Sequence, residues 1–226
     1  MYSTTQITEL LTRWEQIRKE LRKQGSDALL LCSSPNLLYV SERVFNGYFY
    51  LPTEGEPVFF VKRPLGLSQG NLAYIRKPED IPGLLAEKGL PMPARLSLEA
   101  DVLSYSEAKR LEGILQPREI QNASQWMRQV RSVKTPAEIE NYRQTARIHA
   151  EAMKEVPNLF REGMRDIDFA IEVESLFRRK GSLGIFRAFG NNMEIFMGSL
   201  LSGDNALSAS PYDFALGGAG MSPSLP

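Results

Sequence analysis

Histidine and cysteine each occur once in the 226 residues, and the formal charge is zero, with 27 Lys+Arg against 27 Asp+Glu. A lone Cys32 cannot close an internal disulfide, and the residues after Met1 lack the basic and apolar regions of a secretion signal, so a cytoplasmic location is expected. Zero net charge removes the basic footprint that phosphate backbones require, and no Lys/Arg cluster is flanked by stacking aromatics, which argues against nucleic acid. No apolar run approaches the roughly 18 residues of a membrane helix, so no membrane span is expected. With one imidazole, every catalytic triad or His-rich metal site must pass through His149, which sits on an apolar helical stripe and reads as a packed or interface residue.

What is present is ordinary globular composition, 42% hydrophobic and 24% charged, enough to bury a core. At roughly 150 residues per domain the length fits one complete unit and something shorter. In residues 5–25, Ile7, Leu10, Leu11, Trp14, Ile17 and Leu21 recur at helical spacing until Gly25 stops them, an amphipathic helix. Residues 27–32 form a short continuous apolar run closed by Ser33-Ser-Pro-Asn36, which suits a strand buried on both faces. Residues 48–51 and 57–61 are aromatic and β-branched runs separated by a turn containing Gly55, a hairpin. A strand over 72–75, a helix over 78–88 and a strand over 94–98 follow. Ser104-Tyr-Ser-Glu107 then opens a helix as a reciprocal capping box. The alternation predicts an α/β domain.

Residues 123–131 read as a short helix. Thr135-Pro-Ala-Glu138 is a second capping box with Pro at the first helical position, and it starts a long helix with the stripe Ile139, Tyr142, Ala146, His149 and Met153. Asp166 is expected to cap a helix that ends at Gly181. Residues 184–190 and 193–201 read as two strands with a free edge and an apolar face that something should cover. Residues 202–226 are rich in Gly, Ser, Ala and Pro, yet contain Tyr212, Phe214 and Leu216, so they are expected to be ordered only by what they pack against.

The remaining chemical motifs carry little. Cys32 closes a buried strand without a positive helix terminus beside it and reads as an inert core thiol. Asn122-Ala-Ser124 matches a glycosylation sequon without a secretion signal. Gly217-Gly-Ala-Gly220 lacks the Lys and the following helix of a phosphate cradle. Glu194, Asp204 and Asp213 are scattered carboxylates and do not make a two-metal site.

Two stretches resemble the creatinase, prolidase and aminopeptidase P family of pita-bread metallopeptidases. One is Arg131-Ser-Val-Lys134-Thr-Pro-Ala-Glu138-Ile139 with Tyr142-Arg143 and Ala146-Arg-Ile148, similar to the family's linker and first catalytic-domain helix. The other is Ser202-Gly-Asp-Asn-Ala206, similar to the loop entering its substrate site. The N-terminal half, with Asp27-Ala-Leu-Leu-Leu and Pro35-Asn36-Leu-Leu-Tyr39, resembles the family's N-terminal α/β domain. The resemblance implies a creatinase-like mixed sheet flanked by helices over residues 1–130, followed over 131–226 by the first, incomplete half of an α+β pita-bread domain. It also implies an X-Pro peptide substrate, a homodimer, and two divalent ions, manganese, cobalt or zinc, that activate a bridging hydroxide in the full-length enzyme. Their ligands, two Asp, one His and two Glu, follow the Ser-Gly-x-Asn-Ala loop in the family and are expected to lie beyond Pro226. No catalytic or metal residue is therefore assigned to this chain, and Asn205 and Tyr212 are the candidates for lining a substrate pocket. Many relatives carry a substrate-contacting His after that loop, where this sequence has Ser208-Ala-Ser-Pro-Tyr-Asp213. The chain is expected to be inactive alone. The alternatives are a non-catalytic dimerisation or interaction module of the same descent, or a relative of the creatinase branch that cleaves a non-peptide C–N bond.

Overall fold

The computed structural model describes residues 3–67, 70–187, 194–196 and 200–207. The chain divides into two units, Met1–Lys134 and Thr135–Pro226.

The first unit is organised by β1 (Ala28–Leu31), whose four residues are all buried. Side chains alternate across a strand, so Leu29 and Leu31 enter one apolar cluster while Ala28 and Leu30 enter the other. The same alternation divides Phe49 and Leu51 from Tyr48 and Tyr50 in β2 (Asn46–Pro52), and Phe59 and Val61 from Val58 and Phe60 in β3 (Val58–Arg63). With β4 (Leu72–Tyr74), β5 (Arg95–Leu98) and β6 (Glu119–Asn122) they form one mixed sheet in the order β4-β3-β2-β1-β5-β6. β1 pairs antiparallel with β2 and parallel with β5, and β5 pairs parallel with β6.

Each face of this sheet is covered by helices. Helix α1 (Thr4–Gln24), α2 (Ser34–Ser41) and α5 (Ser124–Ser132) place Ile17, Leu21, Leu37, Val40, Trp126 and Met127 on one face. Helix α3 (Ile81–Glu87), entered through a 3-10 turn at Pro78–Asp80, and α4 (Tyr105–Leu115) place Ile81, Leu85, Leu111 and Leu115 on the other. Each such side chain contributes about 1.5–3 kcal/mol by leaving water. Gly25 ends α1 in the left-handed conformation, φ 68°, as a C-terminal glycine does. Gly47 sits at a β-bulge with φ 153°, where a Cβ would overlap the Phe60 carbonyl oxygen.

Several expectations are corrected. Ser33-Ser-Pro-Asn36 is not a loop: Ser33 is the N-cap position of α2 and Pro35 lies in its first turn. Strand β6 escaped prediction because Ile120 is its only large apolar residue and it lies at the sheet edge. The stripe of α1 is narrower than its spacing implied, because Ile7 and Leu11 are exposed while Arg13 is buried. The Arg13 guanidinium donates to the Tyr39 carbonyl at 2.9 Å and pairs with Glu9 at 3.1 Å, which gives the buried charge its partners and ties α1 to α2. At α4, Ser104 Oγ accepts from the Glu107 amide at 3.2 Å. The reciprocal half of that box does not form, because the Glu107 carboxylate accepts from the Tyr48 hydroxyl instead.

In the second unit, α6 (Pro136–Glu155) starts with the full reciprocal box: the Thr135 amide donates to Glu138 at 2.9 Å and the Glu138 amide donates to Thr135 Oγ1 at 3.2 Å. Its predicted apolar stripe is not a buried one. Ala152 is the one buried residue of the helix, and Tyr142 is 62% exposed. Helix α7 (Asp166–Arg179) is capped at Arg165 and not at Asp166, with Arg165 Nη2 and Asp168 paired at 2.8 Å. Strands β7 (Ile185–Arg187) and β8 (Glu194–Phe196) pair antiparallel. Residues 203–207, expected in a loop, form the short helix α8 (Gly203–Leu207).

Because Leu29 is fully buried and Leu11 is 54% exposed, Leu29→Ala should lower the unfolding free energy by about 2–5 kcal/mol. Leu11→Ala should stay within about 0.5 kcal/mol. Urea unfolding of both variants checks the contrast.

Candidate functional site

A polar cluster of the first unit lies where β1 and β5 end. Glu99 directly follows β5, whose last three residues are buried, and is itself 1% exposed. Its Oε2 accepts from the backbone amides of Cys32 and Ser33, the latter at 2.8 Å. Its Oε1 accepts from the Ser33 hydroxyl and from Asn36 Nδ2, the latter at 2.6 Å. Four donors thus converge on two oxygens, which matches the acceptor capacity of a carboxylate. Asn36 is oriented in turn by Arg131 of α5, whose Nη1 donates to Asn36 Oδ1 at 2.9 Å.

A second group lies on the other side of Cys32. The buried Tyr48 donates its hydroxyl to Glu107, while Lys62 Nζ sits 4.9 Å above the Tyr48 ring centroid and 3.5 Å from its oxygen. Arg110 lies 3.9 Å from Glu107 and makes a two-point pair with Glu79, 2.9 Å for each bond. Burial pushes the Tyr48 phenol up, and the Glu107 carboxylate adds to the effect. Burial likewise pushes the Cys32 thiol up, reinforced by the neighbouring Glu99. A thiol held protonated is a poor nucleophile.

The residues singled out from sequence lie elsewhere. Asn205 is in α8, and Tyr212, like Asp213 and the 217–220 glycine run, lies outside the described residues. The turn into α8 is held by Asp166, whose Oδ2 accepts from the Ser202 amide at 3.4 Å while Oδ1 accepts from the Ile167 amide at 2.8 Å. His149 stacks obliquely on Phe177, centroids 5.3 Å apart. Among the described residues no group of three His, Cys, Asp or Glu could hold a metal ion, so the residues described do not fit a pair of divalent ions. An apolar hollow by Phe45, Phe59 and Leu72 has a volume of about 20 Å³, room for one water and no substrate. Sequence reasoning missed the Glu99 cluster; its available signal was a carboxylate placed directly after a predicted strand whose last three residues are buried.

This order of elements has a known counterpart. The sequence pattern of the family described as the Creatinase/Prolidase N-terminal domain matches residues 13–133, more than half of the chain. The chain belongs to this family. No curated protein matches it in sequence, but solved structures do in fold. The Xaa-Pro dipeptidase from Bacillus anthracis superimposes with a TM-score of 0.66 at 19% identity, over 79% of this chain and 53% of that one. The prolidase from Pyrococcus horikoshii OT3 gives 0.62 at 20% identity, over 78% and 52%. The X-Pro aminopeptidase from Thermotoga maritima MSB8 gives 0.62 at 18%, over 76% and 50%. The chain therefore spans about half the length of these structures. Coverage of 79% is more than residues 1–134 alone can supply. The likeness thus continues from the creatinase N-terminal-like domain into the part of the chain that corresponds to a partial pita-bread domain.

The raised thiol and phenol give a pH prediction. Folded Cys32 and Tyr48 keep their protons at pH values where the unfolded chain releases them, so the stability they contribute is intact below the ordinary thiol value of 9.0 and is lost as pH rises past it. Chemical denaturation between pH 8 and pH 11 should show this decline (about that span brackets both groups). The Cys32→Ala/Tyr48→Phe double variant should show a flatter one.

Proposed function

We propose that this chain is the N-terminal portion of an X-Pro dipeptidase- or aminopeptidase-like metallohydrolase, cytoplasmic, and inactive in the form given by these residues. On this reading residues 1–130 form the accessory domain, and residues 131–226 form the opening half of a catalytic domain whose divalent ions, manganese, cobalt or zinc, are held by residues outside it. The observation that carries the reading is the exposed apolar surface of the second unit. Helix α6 buries a single side chain of its twenty residues, leaving Tyr142 and Met153 largely in solvent, and Ile167 and Ile171 of α7 are more than half exposed. Exposed apolar surface of this kind marks a face made to be covered, and on this reading the remaining half of a pita-bread sheet and its helices is the cover. Asn205 and Tyr212 would line the approach of an X-Pro peptide.

A second reading, a non-catalytic module that dimerises, draws on the same exposed face with another copy of the chain as its cover. Size-exclusion chromatography with light scattering separates the two: a stable dimer whose tail resists protease favours the module, and a weakly associating species favours the enzyme portion.

The purified chain, incubated with manganese and an X-Pro dipeptide, should release no proline, whereas metal-dependent turnover would overturn the proposal. Reading the nucleotide sequence past the codon for Pro226 should reveal a frame encoding Asp, Asp, His, Glu and Glu in that order. An immediate stop codon there removes the support for the enzyme reading.

A further inference from the structure

The start of α7 is braced. Phe160, in the segment leading into it, packs edge-to-face on Phe169 with ring centroids 5.7 Å apart. Arg161 donates to Glu172 at 3.2 Å, and Arg165 closes the helix end on Asp168 with bonds of 2.9 and 2.8 Å. Helix α8 is a weaker element. It has five residues, and a helix that short does not sustain itself in water, because nucleation costs more than its few bonds return. It starts at Gly203 with φ 57°, a left-handed conformation that favours glycine. The placement of α8 must therefore be set from outside it. The Arg165–Asp168 pair completes the cap of α7 without the Asp166 carboxylate. Asp166 Oδ1 is pinned by the Ile167 amide at 2.8 Å, and Oδ2 accepts from the Ser202 amide at 3.4 Å, across 36 residues of sequence and immediately before α8.

We infer that Asp166 is a positioning residue of the substrate site: through the Ser202 amide it fixes the placement of α8, and with it of Asn205. The inference rests on the reading of Asn205 as a residue that lines the approach of an X-Pro peptide. A carboxylate suits the task, because its two oxygens let one side chain hold two amides at once, one at the start of its own helix and one at the start of the next. Its charge makes each of those bonds stronger than a neutral acceptor would. The anchor stands on a helix of 14 residues and the element it holds has five, and groups are placed more precisely from a rigid helix than from a loop. Loss of the Ser202 bond therefore loosens α8 and displaces Asn205, while α7 keeps its own bracing.

Water-exchange NMR of the full chain, comparing wild type with Asp166→Ala, Asp166→Ser and Asp166→Asn, tests it. Serine keeps an acceptor near the Ile167 amide and is too short to reach Ser202, whereas asparagine keeps one oxygen at full reach. The Ser202 amide should exchange about three to ten times faster in the Ala and Ser variants, as loss of one hydrogen bond implies, with the Asn variant between them and wild type. Amides over residues 170–178 should keep their wild-type rates in the Ser variant, which separates positioning from fraying of α7. Alanyl-proline at millimolar concentration should shift the Asn205 backbone amide in wild type, shift it less in the Ala and Ser variants, and regain part of the shift in the Asn variant. Unchanged Ser202 exchange in the Ala and Ser variants overturns the inference, as does an equal Asn205 response to the dipeptide in wild type and every variant. A wild type whose Asn205 ignores alanyl-proline overturns instead the reading of Asn205 as substrate-lining; the anchoring of α8 is then decided by the exchange rates alone. If Asp166→Ala is recovered unfolded, the Ser variant carries the comparison.

Discussion

A strand with no water on either face must find apolar cover on both sides, and β1 imposes that requirement on the first unit. Its four residues present Leu29 and Leu31 to one layer and Ala28 and Leu30 to the other. Neighbouring strands β2 and β3 repeat the alternation with aromatic side chains, so both layers are thick enough to need whole helices to close them. The chain meets the demand by sending α1, α2 and α5 to one face and α3 and α4 to the other. That division sends the connections after β1 and β5 to opposite faces, and Glu99 sits between them at the strand ends. Sheet burial and the placement of the buried carboxylate are thus one constraint seen at two levels.

Most of the polar groups drawn into this interior have bonding partners, as burial requires. Arg13 has Glu9 and the Tyr39 carbonyl, and Ser26, Ser97 and Gln121 form a chain with contacts of 2.7 and 2.6 Å. Glu99 gathers its partners from the end of β1 and the start of α2, and through Asn36 it reaches the last turn of α5. The second unit is built differently. Its helices are capped, yet α6 and α7 leave much of their apolar surface in solvent.

The likeness to longer X-Pro peptidases is one of fold, at identities of 18–20%. Membership of the creatinase/prolidase N-terminal family rests on residues 13–133, the segment in which the sheet and its two helical layers are complete. The Glu99 cluster falls inside that segment, whereas Asn205 and Tyr212 fall after it.

Much of the secondary structure was legible along the chain because its signals are local. A continuous apolar run made β1, a Gly-containing turn made the β2–β3 hairpin, and Thr135-Pro-Ala-Glu138 opened α6 with both halves of its box. Helix α2 and strand β6 were not legible: Ser33-Ser-Pro-Asn36 carries turn chemistry, and an edge strand with one large apolar residue has no period to detect. Spacing assigned an apolar stripe to α6 but could not say whether anything lies against it, because periodicity describes a helix and not its surroundings. Only the tertiary structure decided that Glu107 abandons its cap for Tyr48, that Arg13 is buried, and that Glu99 meets Ser33 and Asn36 across more than sixty residues of sequence. Elements are set by interactions within a few residues of the chain, whereas the partners of a buried charge are chosen by which strand ends the folded sheet brings together.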